Sequence, residues 1–256
     1  MRTGRLAAIL AVAHAVAGCA ATGRLNMVSY NIRHCAGPDG TVDVQMVADA
    51  IAQEKPDFVA LNEVDCRTER SGGVDEAAEL GRLTGLHATF GKAIPYSGGE
   101  YGNAVLSRER PLSVLVVPLP GKEPRALLLC EFADFWFGTA HLDFGKYQLE
   151  AVEVIRGAVA EKAKEKPVFV TGDWNNVPKS KTLDAMREFM TILSKEDGLT
   201  FHGFKEHPPE HVFCIDYIAV DNAHANLFAV REAHVTSHPK VSDHNPVAIS
   251  LELRAP

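Results

Sequence analysis

Polar side chains that can do acid–base chemistry follow an apolar run in the second half of the chain. Asp173 and Asn175 come just after Val168–Val170, which has the length and β-branched content of a buried strand. A carboxylate can hold or deprotonate a water molecule, and a carboxamide can donate hydrogen bonds to a developing negative charge. Gly, Asp and Asn also dominate turns, so this stretch by itself fits a simple turn.

Other apolar runs end in the same way, which favours a shared site over a turn. Asn31 follows residues 25–30, Glu63 follows residues 58–61 and His141 follows residues 135–139. An apolar strand that ends in a carboxylate holds a metal ligand rigidly. Taken singly, Glu63 also fits a solvated loop and His141 a structural hydrogen bond, so the argument depends on their common position.

A buried acid and a late histidine form a second pattern. Asp216 lies inside the apolar run Ile215–Val220, where an unpaired carboxylate is costly. We therefore expect Asp216 to have a cationic or hydrogen-bonding partner. His244, which precedes the predicted final strand Val247–Leu253, can provide one.

The segments between these residues show helix-type and strand-type patterns. Apolar residues at helical spacing predict helices over Val42–Glu54, Asp75–Thr84, Tyr147–Lys164 and Thr182–Met190. Short apolar segments at close intervals predict a meander of strands over Ala104–Ser107, Ser113–Val117, Arg125–Phe132 and Phe135–Thr139. These elements must bring the polar strand ends together if those residues act as one site.

Two segments are predicted to be loops beside a ligand. Tyr96–Asn103 is rich in glycine but lacks the lysine and the strand–helix context of a nucleotide P-loop. We interpret it as a loop that lets backbone approach a ligand closely, with Tyr101 and Asn103 as contacts. The histidine-rich segment Asp197–His211 is irregular, and we interpret it as a surface loop at the rim of the substrate site.

Length and net charge limit the classes of function that fit the chain. The chain has 256 residues, of which 46% are hydrophobic and 23% charged, and this is enough for one large core. We predict a single domain over residues 25–254. The net charge is −7. Proteins held to nucleic acid through its phosphates normally show a basic face, so this charge argues against a long nucleic-acid footprint, although it leaves room for a local basic cleft.

The N-terminus has the layout of a signal peptide. Arg2 and Arg5 precede an apolar run, Leu6–Val16, that is too short to span a bilayer. Residues 16–19 also resemble a bacterial lipoprotein box, which implies cleavage before Cys19 and lipid on its sulfur. Residues 1–18 would then be the signal peptide and residues 19–24 a tether. Plain secretion with cleavage after an alanine is the alternative.

The remaining cysteines match no zinc motif. They are Cys35, Cys66, Cys130 and Cys214, and their spacing argues against a metal held by thiolates. Export would permit disulfides. Because Cys35 and Cys66 each lie a few residues beyond a predicted strand end at the same site, a bridge between them is one interpretation of the pattern.

Seven short motifs, taken together and in order, resemble the endonuclease/exonuclease/phosphatase superfamily, which includes DNase I, abasic-site endonucleases, neutral sphingomyelinases and inositol-phosphate phosphatases. The motifs are Ser29–Asn31, Leu61–Glu63, Tyr101–Asn103, Thr139–Leu142, Gly172–Asn175, Ile215–Tyr217 and Ser242–His244. They span nearly all of the chain after its N-terminal segment. One such motif has little specificity, whereas seven in the order of the family are specific.

The resemblance implies an α+β fold, a four-layer α/β/β/α sandwich with two mostly antiparallel sheets packed face to face and helices outside. By family match, Glu63 is the principal Mg²⁺ ligand, Asn31 lies beside it, and Asp243 is a second carboxylate near the metal. Mn²⁺ is also compatible, because hard divalent cations prefer oxygen ligands.

The same match implies roles for the remaining motif residues. Asp173 orients the attacking water, Asn175 supports the phosphoryl oxygens, and Asp216 pairs with His244. His141 stands at a position that is His in DNase-like and lipid-cleaving members and Tyr in abasic-site endonucleases, so it argues against the abasic-site branch.

Four arginines are candidate contacts to the phosphate of a substrate. They are Arg33, Arg67, Arg70 and Arg125. Roles as solvated or structural arginines fit them at least as well, because exposed ion pairs are common and contribute little.

Together these inferences predict an exported, monomeric, divalent-metal phosphoric ester hydrolase. Its expected substrate is a small phosphate mono- or diester or a phospholipid headgroup, cleaved by in-line attack of water. A secreted DNase I-like nuclease is the alternative within the same chemistry. A surface binding protein that kept the fold and lost catalysis is the alternative of another class, and the presence of every motif acid and histidine argues against it. Membrane contact is expected only through the N-terminal lipid.

Overall fold

A computed structural model describes residues 24–206 and 213–254. The predicted signal peptide, the lipidation site at Cys19 and nearly all of the tether lie outside the described residues and stay predictions. None of the helices in the two described ranges is both long and apolar enough to cross a membrane.

Twelve strands form two mixed six-stranded sheets. The first has the order β11-β12-β1-β2-β4-β3 and consists of β1 Arg24–Asn31, β2 Phe58–Cys66, β3 His87–Tyr96, β4 Gly99–Ser107, β11 Phe228–Val235 and β12 Val247–Leu253. The second has the order β5-β6-β7-β8-β10-β9 and consists of β5 Ser113–Leu119, β6 Arg125–Glu131, β7 Trp136–Ala140, β8 Val168–Asp173, β9 Met190–Ile192 and β10 Asp216–Asp221. Most neighbouring strands are antiparallel.

The two sheets pack face to face and helices cover their outer faces, which confirms the four-layer sandwich. Met27, Phe58 and Phe137 belong to the core between the sheets. The helices are α1 Val44–Gln53, α2 Glu76–Thr84, α3 Gln148–Lys162 and α4 Lys181–Arg187. The first two pack on the outer face of the first sheet and the last two on that of the second. Because successive side chains alternate between two buried faces, the central strands carry apolar residues on both faces.

Two parallel strand pairs set the position of the polar strand ends. β1 runs parallel to β2, with Asn31 opposite Asn62, and β7 runs parallel to β8, with Thr139 opposite Thr171. The connections that return the chain contain α1 and α3. Parallel neighbours end at the same edge of a sheet. The residues that follow these strands therefore gather at one edge of each sheet.

The predicted loop Tyr96–Asn103 is instead a tight hairpin. β3 ends at Tyr96 and β4 begins at Gly99, so only Ser97 and Gly98 form the turn, both with positive φ. The next glycines are needed for strand packing, because a Cβ on Gly102 would lie 2.1 Å from the Gly91 carbonyl oxygen. The glycine-rich composition thus reflects close backbone contact within the sheet, and the loop prediction was wrong.

Two further expectations are corrected. The described cysteines are all free, so the Cys35–Cys66 bridge was wrong. β2 continues three residues past Glu63 and pairs Cys66 with Glu100 of β4, whereas Cys35 packs in the core beneath the helices. The predicted helix over 182–190 ends at Arg187, and its last residues turn into the short strand β9.

Candidate active site

Side chains from both sheets meet around one cavity of about 400 Å³. Asn31 and Glu63 come from the first sheet, whereas Asp173 ends β8 and Asp216 begins β10. The residues that line the cavity are Glu63, Arg125, His141, Phe144, Asp173, Asn175, Phe201, Phe213, Ile215, Asp243 and His244. Six of the predicted catalytic and metal-binding residues thus face one space, although they span residues 63 to 244.

Local backbone geometry turns two of these residues toward the cavity. Glu63 has φ 57° and lies where the pairing of β2 with β4 shifts register, between Leu61 and Val64. Such a bulge re-aims a side chain at the edge of a site. Asn175 has φ 50°, a conformation that Asn tolerates better than most residues. Strained backbone of this kind concentrates at functional sites, because the surrounding structure must hold it.

Gly172 lets β8 come close to β7 just before Asp173. Its φ is 125°, and a Cβ at this position would lie 2.2 Å from the Ala140 carbonyl oxygen. Only glycine fits this combination of conformation and contact. The glycine of the Gly172–Asn175 motif therefore sets how closely Asp173 can approach His141.

Asn31 links three functional side chains. Its Nδ2 lies 3.0 Å from Glu63 Oε1, 3.1 Å from Asp173 Oδ2 and 3.4 Å from His244 Nε2. Its Oδ1 accepts a hydrogen bond from the Arg33 backbone N–H. In this orientation the amide holds the carboxylates in place. To ligate a cation itself, Asn31 would have to present Oδ1 to the site.

Asn62 and Asn103 form a support behind the cavity. Asn62 accepts from the Asp173 backbone N–H at 2.9 Å and donates to Asn103 Oδ1 at 2.9 Å and to Thr139 Oγ1 at 3.0 Å. Asn103 in turn donates to the Ala126 carbonyl oxygen. Asn103 is buried and its polar atoms are used within the protein, so it has a supporting position, unlike the ligand contact expected from the sequence.

Asp216 and His244 form a buried pair. His244 Nδ1 lies 2.9 Å from Asp216 Oδ2, and the His244 ring lies against Phe201 at 4.9 Å between centroids. Burial alone would lower the pKa of His244, but the carboxylates of Asp216 and Asp173 raise it to about 10. The imidazole is therefore protonated at neutral pH and can donate through Nε2 into the cavity.

Asp173 lies between two histidines. Its Oδ2 is 3.5 Å from both His141 Nε2 and His244 Nε2, and its Oδ1 accepts from the Asn175 backbone N–H at 2.9 Å. Burial and the neighbouring Asp216 carboxylate raise the pKa of Asp173 to about 7. A carboxyl group with a pKa near 7 can act as a base toward water at neutral pH.

His141 and Asn175 hold one another. Asn175 Nδ2 lies 3.1 Å from His141 Nε2 and donates to the Leu142 carbonyl oxygen at 2.7 Å. Burial holds the pKa of His141 well below its usual range, so the ring is neutral and Nε2 accepts. Both amide hydrogens of Asn175 are thus used inside the protein. In this arrangement Asn175 orients His141, whereas the sequence suggested a direct contact to phosphoryl oxygens.

The candidate phosphate arginines occupy different surroundings. Arg125 lines the cavity, donates to Tyr101 Oη at 2.9 Å and has a buried Nε that makes no hydrogen bond to the described residues. Arg33 is occupied by Asp243 at 3.6 Å and by the Ala36 and Gly37 carbonyl oxygens. Of the two, only Arg125 lines the cavity, and it too is held by an ion pair, with Glu123 Oε1 2.8 Å from its Nη1.

The acidic side chains fit a hard divalent cation. Ligand atoms of Asp173, Asp216 and His244 lie within 4.8 Å of one another, but a protonated His244 offers no lone pair to a metal. The oxygens of Glu63, Asp243 and Asp173 face the same cavity. Asp216 Oδ1 is buried and accepts no hydrogen bond from the described residues. This excess of negative charge is the environment in which oxygen donors bind a divalent cation.

Sequence reasoning missed the apolar wall of the cavity. This wall consists of Phe144, Phe201, Phe213 and Ile215. Phe144 is 69% exposed, so its ring is open to solvent at the mouth of the cavity. The signal in the sequence was its position three residues after His141, in a segment with no helical or strand-type spacing.

Comparison with known families agrees with this architecture. The sequence profile of the endonuclease/exonuclease/phosphatase family matches residues 28–244, which include the site residues from Asn31 to His244. A comparison with curated proteins finds no match.

Solved structures share the fold. An endonuclease/exonuclease/phosphatase from Beutenbergia cavernae is 24% identical, with a TM-score of 0.72 over 90% of this chain and 72% of that chain. The mannosyl-6-phosphatase Bt3783 of Bacteroides thetaiotaomicron is 19% identical, with a TM-score of 0.65 over 89% and 99%. D. rerio TDP2 complexed with single-strand DNA product is 16% identical, with a TM-score of 0.65 over 90% and 99%.

The family profile covers most of the chain, and the two packed sheets with their outer helices are the fold of the similar structures. This chain therefore belongs to the endonuclease/exonuclease/phosphatase family.

Proposed function

We propose that the protein is an exported, divalent-metal phosphoesterase that hydrolyses a phosphate mono- or diester of a small molecule or a phospholipid headgroup. The observation that carries this proposal is the convergence of Glu63, Asp173 and His244 on one cavity, with His244 paired to Asp216. A base for water, a cationic hydrogen-bond donor and oxygen ligands for a metal are the groups that phosphoester hydrolysis requires.

Glu63 and Asp243 would hold the cation, with Asn31 beside them. Mg²⁺ or Mn²⁺ fits this donor set because all the available donors are oxygens and no described thiol faces the cavity. When bound, the cation supplies Lewis-acid neutralisation of phosphoryl charge.

The side chains of the protein supply the remaining steps. Asp173, fixed by the Asn175 backbone N–H and by Asn31, holds the attacking water and takes its proton as the water oxygen bonds to phosphorus. The bond from phosphorus to the ester oxygen breaks, and the departing alkoxide takes a proton from solvent water and leaves as the alcohol. His244 donates a charged hydrogen bond from Nε2 to an oxygen of the phosphoryl group, and Asp216 keeps it protonated. Arg125 lines the same cavity as a further hydrogen-bond donor, with its charge matched by Glu123. His141 fixes the direction from which the ester approaches Asp173.

The negative net charge of the chain favours a small phosphate ester over nucleic acid as the substrate. The net charge is −7, whereas a long phosphate backbone is normally bound by a basic face. The similar structures include both a sugar-phosphate phosphatase and a DNA-bound protein, at identities that carry the fold alone. A nuclease is therefore kept as an outcome of the test.

A substrate panel tests the proposal. The purified protein is assayed on bis-p-nitrophenyl phosphate, sugar phosphates, sphingomyelin and plasmid DNA, with Mg²⁺, with Mn²⁺ and with EDTA. Hydrolysis of small esters that EDTA abolishes is expected. Cleavage of DNA alone identifies the nuclease, and cleavage of none of the four with either metal identifies a binding protein.

We propose further that the N-terminal segment directs export and lipid attachment. Arg2 and Arg5 before Leu6–Val16, followed by Cys19, support this assignment. Labelling of the expressed protein with radioactive palmitate is expected, and the Cys19→Ala variant is expected to lose the label. Equal labelling of both proteins would contradict lipid attachment at Cys19.

A further inference from the structure

A second compartment adjoins the active-site cavity on the side of the first sheet. It has a volume of about 240 Å³ and shares Glu63 and Arg125 with the active-site cavity. The other side chains that define it are Arg70, Ile94, Tyr96, Tyr101 and Glu123. A group bound there would lie directly beside a phosphoryl group held at Glu63.

Arg70 is fixed at the edge of this compartment by a buried acid. Its Nε and Nη2 donate to Asp65 at 2.7 and 2.8 Å, and Asp65 is fully buried. Thr68 also donates to Asp65 at 2.5 Å. The guanidinium lies over the Tyr96 ring, 4.4 Å from its centroid. Arg70 keeps about a third of its side chain exposed. Its guanidinium is therefore held rigidly and still presents N–H donors outward.

This arrangement fixes geometry more than it stabilises the fold. A buried ion pair often costs as much in desolvation as it gains in attraction, so its presence is weak evidence for a stabilising role. A rotamer locked by bidentate hydrogen bonds is, by contrast, what a precise binding site requires. We therefore attribute the burial of the Asp65 carboxylate against Arg70 to a ligand that Arg70 contacts.

Arg125, which also lines this compartment, is fixed in a similar manner. Its Nη1 donates to Tyr101 Oη at 2.9 Å and to Glu123 Oε1 at 2.8 Å. Glu123 is half exposed, so it can exchange this contact for a hydroxyl group of a ligand. Tyr96 is 41% exposed and offers a flat apolar face beside these polar groups.

The charges of the compartment identify the class of ligand. Arg70 is matched by Asp65 and Arg125 by Glu123, and Glu63 also lines the compartment, so two arginines stand against three carboxylates. A second phosphate would find no net positive charge there. Hydroxyl groups both donate and accept, which suits paired arginines and carboxylates, and the faces of a sugar or cyclitol ring pack against tyrosine.

We propose that this second compartment binds the hydroxylated part of the substrate, a sugar or cyclitol ring that carries the scissile phosphate. This inference rests on the proposed phosphoesterase function and deepens it by naming the substrate class. Tyr96 and Glu123 are the residues that distinguish such a substrate from a simple aryl phosphate.

Hydrolysis tests the substrate preference. The kcat/KM for glucose 6-phosphate and myo-inositol 1-phosphate is compared with that for phenyl phosphate. Tyr96→Ala is expected to lower the ratio of sugar or cyclitol ester to phenyl ester about tenfold, the scale of one lost ring contact. Tyr96→Phe, which keeps the ring, is expected to retain the ratio. Glu109→Gln, at an exposed residue beyond the other end of β4, is the matched surface control.

Charge gives a second, independent outcome. Glu123→Gln leaves the charge of Arg125 unmatched. The kcat/KM for glucose 1,6-bisphosphate is therefore expected to rise about three- to tenfold relative to that for glucose 6-phosphate. If the kcat/KM ratios are unchanged in both Tyr96→Ala and Glu123→Gln, at normal activity toward phenyl phosphate, the proposed role of the second compartment is wrong. The phosphoesterase function would be left intact.

Binding is measured separately from turnover. Saturation-transfer NMR in EDTA is expected to show contact to the ring protons of glucose 6-phosphate or myo-inositol 1-phosphate, reduced at least threefold in Tyr96→Ala. Absence of such contact for both probes in the unmodified protein would overturn the inference. Ring contact without hydrolysis of any phosphate ester would support the compartment and reject the phosphoesterase function.

Discussion

His244 Nδ1 lies 2.9 Å from Asp216 Oδ2, and both side chains are buried beside Asp173. This contact keeps a positive charge in a cavity otherwise rich in carboxylates. It also explains why an acid can stand inside the apolar strand β10, because a buried carboxylate persists when it is paired. The start of β10 and the loop before β12 are thus joined by a buried His–Asp pair.

Removing His244 is expected to abolish most turnover. The His244→Ala variant should lose roughly 10²–10⁴-fold in kcat, since it removes the charged donor to the phosphoryl group. His224→Ala is the matched control, because His224 Nδ1 lies 2.8 Å from Asp221 Oδ1 in a similar His–Asp pair that does not line the cavity. If the two variants have similar melting temperatures and similar activities, the role of His244 is wrong.

Glu76 makes stability fall as the pH rises. Burial, together with the nearby Asp65 carboxylate, raises its pKa to about 8 in the folded protein, above the ordinary value of 4.5. Between these values the folded state holds a proton that the unfolded state has released. The free energy of unfolding therefore decreases with pH, by up to about 1.4 kcal/mol per unit.

Urea denaturation at pH 5.5, 6.5 and 7.5 measures this dependence. Glu76→Gln is expected to flatten the slope relative to the unmodified protein. The control is Glu79→Gln on the same helix, since Glu79 is partly exposed and its pKa is lowered by Arg82, so its charge does not change in this range. A Glu76→Gln slope equal to that of the unmodified protein would rule out Glu76 as its source.

Two glycines are expected to respond oppositely to alanine. At Gly172 the left-handed φ and the nearby Ala140 carbonyl oxygen leave no room for a Cβ, so Gly172→Ala should cost roughly 1–3 kcal/mol of unfolding free energy and displace Asp173. Gly157 lies in helix α3 with open space around it, so Gly157→Ala should stabilise by roughly 0.5–1 kcal/mol. Thermal unfolding of both variants measures the contrast.

The strand ends that carry the site were predictable because the central strands are buried on both faces. Their apolar residues, which occur on both faces of each strand, made Asn31 and Asp173 stand out at the strand ends. Glu63 was harder to place correctly, since it lies within β2 at a bulge and not after the strand. Register shifts of this kind depend on the neighbouring strand and leave no mark on periodicity.

Other features could not be predicted from the sequence because they depend on contacts between distant segments. Strands β3 and β11 are only partly buried, and therefore lack a clean apolar alternation. The orientation of Asn103 toward Asn62, and the use of both Asn175 amide hydrogens, follow from contacts between distant segments. The clamp of Asp65 on Arg70 belongs to the same class, because only the folded chain brings it beside Tyr96.

The central claim, that distant strand ends form one metal-dependent hydrolytic site, is tested most directly at Glu63. Hydrolysis of bis-p-nitrophenyl phosphate is measured after EDTA treatment and again after Mg²⁺ is restored, in the unmodified protein and in Glu63→Ala. Recovery with Mg²⁺ in the former, and a rate at least about 100-fold lower in the latter at unchanged circular dichroism, are predicted. Full activity in EDTA, or normal Mg²⁺-dependent activity of Glu63→Ala, would contradict the account.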